Sequence, residues 1–97
     1  MSELPFRVLL TSSACDDILA IVRFIGLTDQ KGAKRWYELA RQRLGTLKTL
    51  PQRRVSIPES TDLGVEYQEA RFPLTRVLYR MDEDLVYVVR VVYEPWL

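Results

Sequence analysis

The sequence predicts an α+β domain: an N-terminal strand, a two-helix hairpin and a three-stranded antiparallel meander, with the helices packed on one face of the sheet. Three observations carry this expectation. Two stretches, Ala14 to Ile25 and Ala33 to Leu47, repeat apolar residues every three or four positions, the period of a helix with one buried face. Three later runs rich in Val, Tyr and Phe are separated by connections short enough only for antiparallel neighbours. The 97 residues support one domain, 1–97, around one modest core.

The elements follow in order. After Pro5, Phe6-Arg7-Val8-Leu9-Leu10 is short, apolar and partly β-branched, which reads as a strand. Thr11-Ser12-Ser13 offers hydroxyl caps, and Asp16 and Asp17 are read into the first turn of a helix, where the dipole favours negative charge. Ala14, Ile18, Ile21, Val22 and Ile25 form its apolar face, and Gly26 is its stop. Cys15 reads as a small core residue; alone, it cannot form an internal disulfide.

Asp29 caps a second helix whose seam is Ala33, Trp36, Tyr37, Ala40, Leu44 and Leu47, running up to Leu50-Pro51. Trp36 and Tyr37 are expected in the core. Gly45 weakens this helix by about 1 kcal/mol relative to Ala and is read as a point of close approach to the first helix. Pro51 to Gly64, with two prolines and a Ser-Thr-Asp cluster, reads as a connection packed by Val55, Ile57 and Leu63. Strands are expected over Val65 to Phe72, Thr75 to Met81 and Leu85 to Tyr93, with turns at Pro73-Leu74 and Asp82-Glu83-Asp84. The last strand is apolar on both faces and should be central in the sheet.

Composition narrows the chemistry. There is no His, so neither a His-dependent nucleophile pair nor a His-ligated zinc site is encoded. No Gly-rich phosphate loop, metal cluster or paired-carboxylate site stands out, and no cofactor or metal is expected. The acidic hairpin tip reads as a solvated turn, not a cation site. No apolar run reaches the roughly 20 residues of a membrane span and the start has no signal-peptide pattern, so a soluble cytoplasmic protein is expected, with no membrane partner.

The net charge of +1 hides an uneven distribution. Lys31 to Arg54 holds eight basic residues and one acid, Glu38, for a net +7 that leaves −6 for the rest. Lys34, Arg41 and Lys48, seven apart, form a stripe beside the apolar seam, with Glu38 within reach of the first two. On the strand from Thr75, Val77, Tyr79 and Met81 are assigned to the core, and Arg76, Leu78 and Arg80 to the open face of the sheet. With Arg71 and Arg90 this arrangement would suit a nucleic acid, and from composition alone an ordinary salt-bridged surface accounts for it equally well.

Several local patterns carry a resemblance. They are the opening strand with the Ser-Ser-Ala-Cys-Asp-Asp-Ile helix start, Leu47-Lys48-Thr49-Leu50-Pro51, and Ile57-Pro58-Glu59. More specific is Arg71 followed by Arg76-Val77-Leu78-Tyr79-Arg80-Met81, an acidic turn and a Val-rich strand to Val92. Over nearly its full length the chain resembles the RelE/ParE superfamily, the toxins of type II toxin-antitoxin modules often labelled plasmid stabilisation proteins. Thr75 stands where an aromatic residue is common in that pattern.

The resemblance implies a growth-inhibiting toxin bound by a cognate antitoxin with an acidic tail, as a homodimer or in a heterotetramer with it. Its target would be DNA gyrase for a ParE-like member, or mRNA on the ribosome for a RelE-like endoribonuclease. RelE-like cleavage uses Lys and Arg around the scissile phosphate, and an Arg and a Tyr after the final strand. Here Tyr67, Gln68 and Glu69 stand in place of lysines, and Tyr93-Glu94-Pro95-Trp96-Leu97 follows Val92; a carboxylate at Glu69 or Glu94 would repel a phosphate. Only Arg71 and Arg76 carry over, with Arg80 completing the catalytic set if the chain is a ribonuclease. The departures lean away from an enzyme and towards ParE. The chain also lacks the His and polar extension that often follow the last strand in ParE-like members, so a toxin-fold protein that only binds its antitoxin remains a third reading. The surface expected to hold the partner comprises Lys34, Arg41, Lys48, Arg53, Arg54, Arg76, Leu78, Arg80 and Arg90.

Overall fold

The computed structural model describes residues 7–47 and 67–95. Strand β1 (Arg7–Leu10) leads into helix α1 (Ser12–Gly26), then α2 (Gln30–Thr46) and strands β2 (Gln68–Phe72), β3 (Thr75–Asp82) and β4 (Leu85–Tyr93). The strands form one sheet in the order β1-β4-β3-β2. β2, β3 and β4 are an antiparallel meander, and β1 pairs with β4 in parallel, Arg7 opposite Leu85 and Leu10 opposite Val88. The last strand is central, as its two-sided apolar sequence requires.

Each helix begins where its cap places it. The Thr11 hydroxyl accepts the Ala14 N–H at 3.2 Å, and the Asp29 carboxylate accepts the Gly32 N–H at 2.8 Å. The second cap explains Gly32: a Cβ there would run into the Asp29 carboxylate. The hairpin turns are two residues long, and Leu74 (φ 63°) and Glu83 (φ 56°) take the left-handed conformation they need. The core lies between helices and sheet, where Ala14, Ile18 and Ile21 of α1 and Trp36, Ala40 and Leu44 of α2 meet Val77, Tyr79, Val86 and Val88. The Trp36 indole donates to the Thr75 hydroxyl at 3.0 Å, a buried bond joining α2 to the start of β3.

β4 carries a bulge. Leu78 of β3 faces Arg90 but Tyr79 faces Val88, so Val89 has no partner on β3. The start of α1 covers this irregularity: Thr11 donates its N–H to the Val88 carbonyl and shares its hydroxyl between the carbonyls of Val88 and Val89. The slip lets Val88 and Val91 both enter the core, at 0% and 3% exposure.

Several expectations are corrected. Cys15 is exposed, because the Thr11 cap sets the helical phase that turns Ala14 inward. Asp16 and Asp17 lie beyond the first turn, since α1 already starts at Ser12. Tyr37 is 44% exposed: it sits at the border of the seam, where a phenol keeps its polar end in water. Among the described residues Gly45 is not a close approach, as a Cβ there would meet nothing within 4 Å; the helices come together at Gly26, whose Cβ would lie 3.8 Å from that of Ala33. The expected Phe6 start of β1, the end of the second helix at Leu50-Pro51, the 51–64 connection and the beginning of the 65–72 strand lie outside the described residues.

Candidate functional site

The expected site residues divide between two layers of the fold. Lys34 and Arg41 are exposed on α2, and Lys48, Arg53 and Arg54 lie outside the described residues. The remainder belong to the sheet face turned away from the helices. With Val77 and Tyr79 directed into the core, the two-residue period sends Arg76, Leu78 and Arg80 the other way. Register adds Arg71 opposite Arg76, Glu69 and Arg90 opposite Leu78, and Tyr87 opposite Arg80.

On that face the arginines are engaged. Arg76 donates from Nε and Nη2 to Glu69 Oε1 at 3.2 and 3.1 Å, and its Nη1 lies 3.8 Å from Glu94 Oε2. Arg71 binds the other oxygen of Glu69. The side chains of Arg76, Glu69 and Glu94 are only 19%, 13% and 17% exposed, so this network is partly withdrawn from water. Arg80 lies over the Tyr87 ring at 4.5 Å. Arg90 is clamped by Asp17 of α1 through Nε at 2.7 Å and Nη2 at 3.0 Å. Those hydrogen bonds first, and the Asp17 charge second, raise the Arg90 pKa above its already high ordinary value, so the guanidinium stays charged.

Leu78 corrects the expectation of an exposed apolar contact: it is buried at 8%. It stands mid-row, with Glu69 and Arg90 across the strands and Arg76 and Arg80 on either side, long side chains that shield it. The sequence reading had Glu69 and Glu94 as repelling a phosphate, without their partnership with Arg76. The signal for it was present: a two-residue turn at Pro73-Leu74 pairs Phe72 with Thr75, which puts Arg71 opposite Arg76 and Glu69 two residues further along the same face. Asp17 gave no comparable signal, because its partners lie more than 70 positions away.

The helix layer is different. Among the described residues Lys34, Glu38 and Arg41 make no ion pair, although Glu38 was expected within reach of both cations. Glu38, Arg41 and Gln42 line a shallow polar depression. A second groove, of about 270 Å³ and almost wholly apolar, lies between α1 and the end of β4, lined by Ala20, Ile21, Phe24 and Tyr93. The Phe24 and Tyr93 rings meet edge to face at 6.1 Å. Among the described residues no group of three or more His, Cys, Asp and Glu could hold a metal ion, and no helix is long and apolar enough to cross a membrane.

No family model matches the sequence, and no curated protein matches it. Solved structures do match the fold. The chromosomal ParDE toxin-antitoxin system from P. aeruginosa aligns over 92% of this chain and 96% of the matched chain, with a TM-score of 0.75 at 10% identity. The toxin-antitoxin complex RelBE2 from Mycobacterium tuberculosis aligns over 96% and 95%, with a TM-score of 0.63 at 21% identity. At these identities the likeness is one of architecture: this chain has the RelE/ParE-like fold, nearer in shape to the ParDE chain than to the RelBE2 chain.

Proposed function

We propose that this chain is the toxin component of a type II toxin-antitoxin module, held by an antitoxin with an acidic segment, and that it acts in the cytoplasm on DNA gyrase as ParE-like toxins do, not as an mRNA endoribonuclease. The observation that carries the reading is the state of the sheet-face arginines. Arg71 and Arg76 share Glu69, Arg76 also faces Glu94, Arg80 lies on Tyr87 and Arg90 is held by Asp17. Metal-free and His-free cleavage of RNA needs cations available to the phosphate as charge develops on it. The greater similarity in shape to the ParDE chain agrees with that reading. For the antitoxin, the support is Lys34 and Arg41 on α2, which make no ion pair among the described residues and lie inside the strongly basic Lys31–Arg54 segment.

The test is induced expression with and without the antitoxin, combined with supercoiling by purified gyrase and cleavage of mRNA on programmed ribosomes. Growth arrest, loss of supercoiling and intact mRNA are expected. Cleaved mRNA with normal supercoiling would overturn the reading. So would a protein inert in both assays that still binds its antitoxin.

A further inference from the structure

The Arg71–Glu69–Arg76–Glu94 network has the composition of an anion site with its anion already in place. A guanidinium offers a planar fork of donors that fits a carboxylate and a phosphate alike. In this chain the Arg76 fork is turned onto Glu69, with Glu94 on its other side and Arg71 binding the second Glu69 oxygen. Among the described residues, the charges of Arg71 and Arg76 are matched by those of Glu69 and Glu94. An incoming phosphodiester would have to break the Arg76–Glu69 bonds and then sit beside two displaced negative charges in a partly desolvated place.

From this arrangement we infer that Glu69 and Glu94 are specificity-determining residues: they close the sheet face to phosphodiesters by occupying Arg76, and removing them uncovers a phosphate-binding site for single-stranded RNA. The inference deepens the functional reading above and rests on the same face, but it concerns what the face excludes, not what the toxin inhibits. The two carboxylates answer a problem of cellular abundance. A chain with eleven arginines among its 14 basic residues works amid nucleic acid, and an arginine-bearing sheet face would otherwise add to non-specific capture. With Arg71 and Arg76 matched by carboxylates, Lys34 and Arg41 of α2, which make no ion pair among the described residues, are left to choose the partner by charge.

The experiment compares binding of a labelled single-stranded RNA of about ten nucleotides at about 50 and 200 mM salt, read by fluorescence anisotropy. The wild type is set against Glu69→Gln/Glu94→Gln and against Asp16→Asn/Glu83→Gln, a pair of exposed sites that alters net charge equally. The expected result is at least a roughly ten-fold tighter complex for Glu69→Gln/Glu94→Gln alone, returned to the wild-type value by adding Arg76→Ala. Equal gains in the two double variants would overturn the inference by showing a general charge effect. A gain that survives Arg76→Ala would overturn it by placing the phosphate elsewhere. If the double variant does not fold, Glu94→Gln alone, which leaves both Arg76–Glu69 bonds in place, is set against Glu83→Gln, which removes the same single charge, with a gain of about three-fold expected for Glu94→Gln only. The functional reading fails separately, on wild-type cleavage of mRNA, whatever these affinities prove to be.

Discussion

The Asp17 carboxylate on α1 accepts the main-chain N–H of Val91 on β4 at 2.9 Å while its two oxygens hold the Arg90 guanidinium. One side chain thus closes the edge of β4 beyond the point where β1, which reaches only Val88, stops pairing with it. The two bonds differ in energy. The main-chain donor is partly buried and would be left without a partner, whereas the Arg90 side chain is 56% exposed. Asp17→Ala is therefore expected to destabilise the fold by roughly 2–3 kcal/mol and Arg90→Ala by less than about 1 kcal/mol, measured by urea unfolding. Equal losses would mean that the ion pair, not the strand edge, is what Asp17 serves.

The same pair sets an expectation for pH. Arg90 has its pKa raised in the fold, so what it adds is fully present below the ordinary arginine range and is lost only as pH rises through the still higher folded value. The stability difference between wild type and Arg90→Ala should stay constant from neutral pH through mild alkali. A difference that shrank there would contradict the raised value.

Thr75 tests the buried link between layers. Its hydroxyl accepts the Trp36 indole N–H and donates to the Pro73 carbonyl at 3.1 Å. Thr75→Val keeps the shape but orphans a buried donor, with an expected loss of about 1–3 kcal/mol. Thr75→Ser keeps the hydroxyl and should recover most of that in the same thermal or urea titration.

Two helical glycines should respond with opposite sign. Gly45→Ala adds a methyl that meets nothing within 4 Å among the described residues and should stabilise by about 0.5–1 kcal/mol. Gly32→Ala drives a methyl into the Asp29 carboxylate and should cost about 1 kcal/mol through loss of the cap. Circular dichroism melts of the two variants decide both.

The α2 cations test the partner. Lys34→Glu with Arg41→Glu should weaken the antitoxin complex, most strongly at low salt, and leave the fold intact because both side chains are exposed. Unchanged affinity at low salt would mean that this helix face is merely solvated.

How far the sequence could be read follows from the range of the forces involved. Local determinants were legible: the Thr11 and Asp29 caps, the seam of α2, and the turns at Pro73-Leu74 and Asp82–Asp84 all act within a few residues. The central place of β4 was legible from a run with no polar face. The bulge at Val89 was not, for the same reason: in Val88-Val89-Arg90-Val91-Val92 little alternation exists to mark where the phase slips. Cys15 and Tyr37 each failed at the edge of an apolar face, where a rotation of one position decides burial. At the candidate site the cations were legible and their availability was not, because pairing of Arg76 with Glu69 and of Arg90 with Asp17 is fixed by tertiary placement.

The placing of β4 has a temporal consequence. Among the described residues the interior strand β4 is the last element in chain order, and Thr11 reaches it across 77 and 78 positions to bind Val88 and Val89. Until β4 has left the ribosome, β1 has no neighbour, β3 lacks one of its two, and α1 has nothing to cap. A nascent chain is then a helical hairpin beside the β2–β3 hairpin and an unpaired β1, and its final collapse is a late, long-range and comparatively slow event. For a chain proposed to arrest its own host, inactivity would thus extend until β4 is made, which gives an antitoxin already present time to meet the fold as it closes.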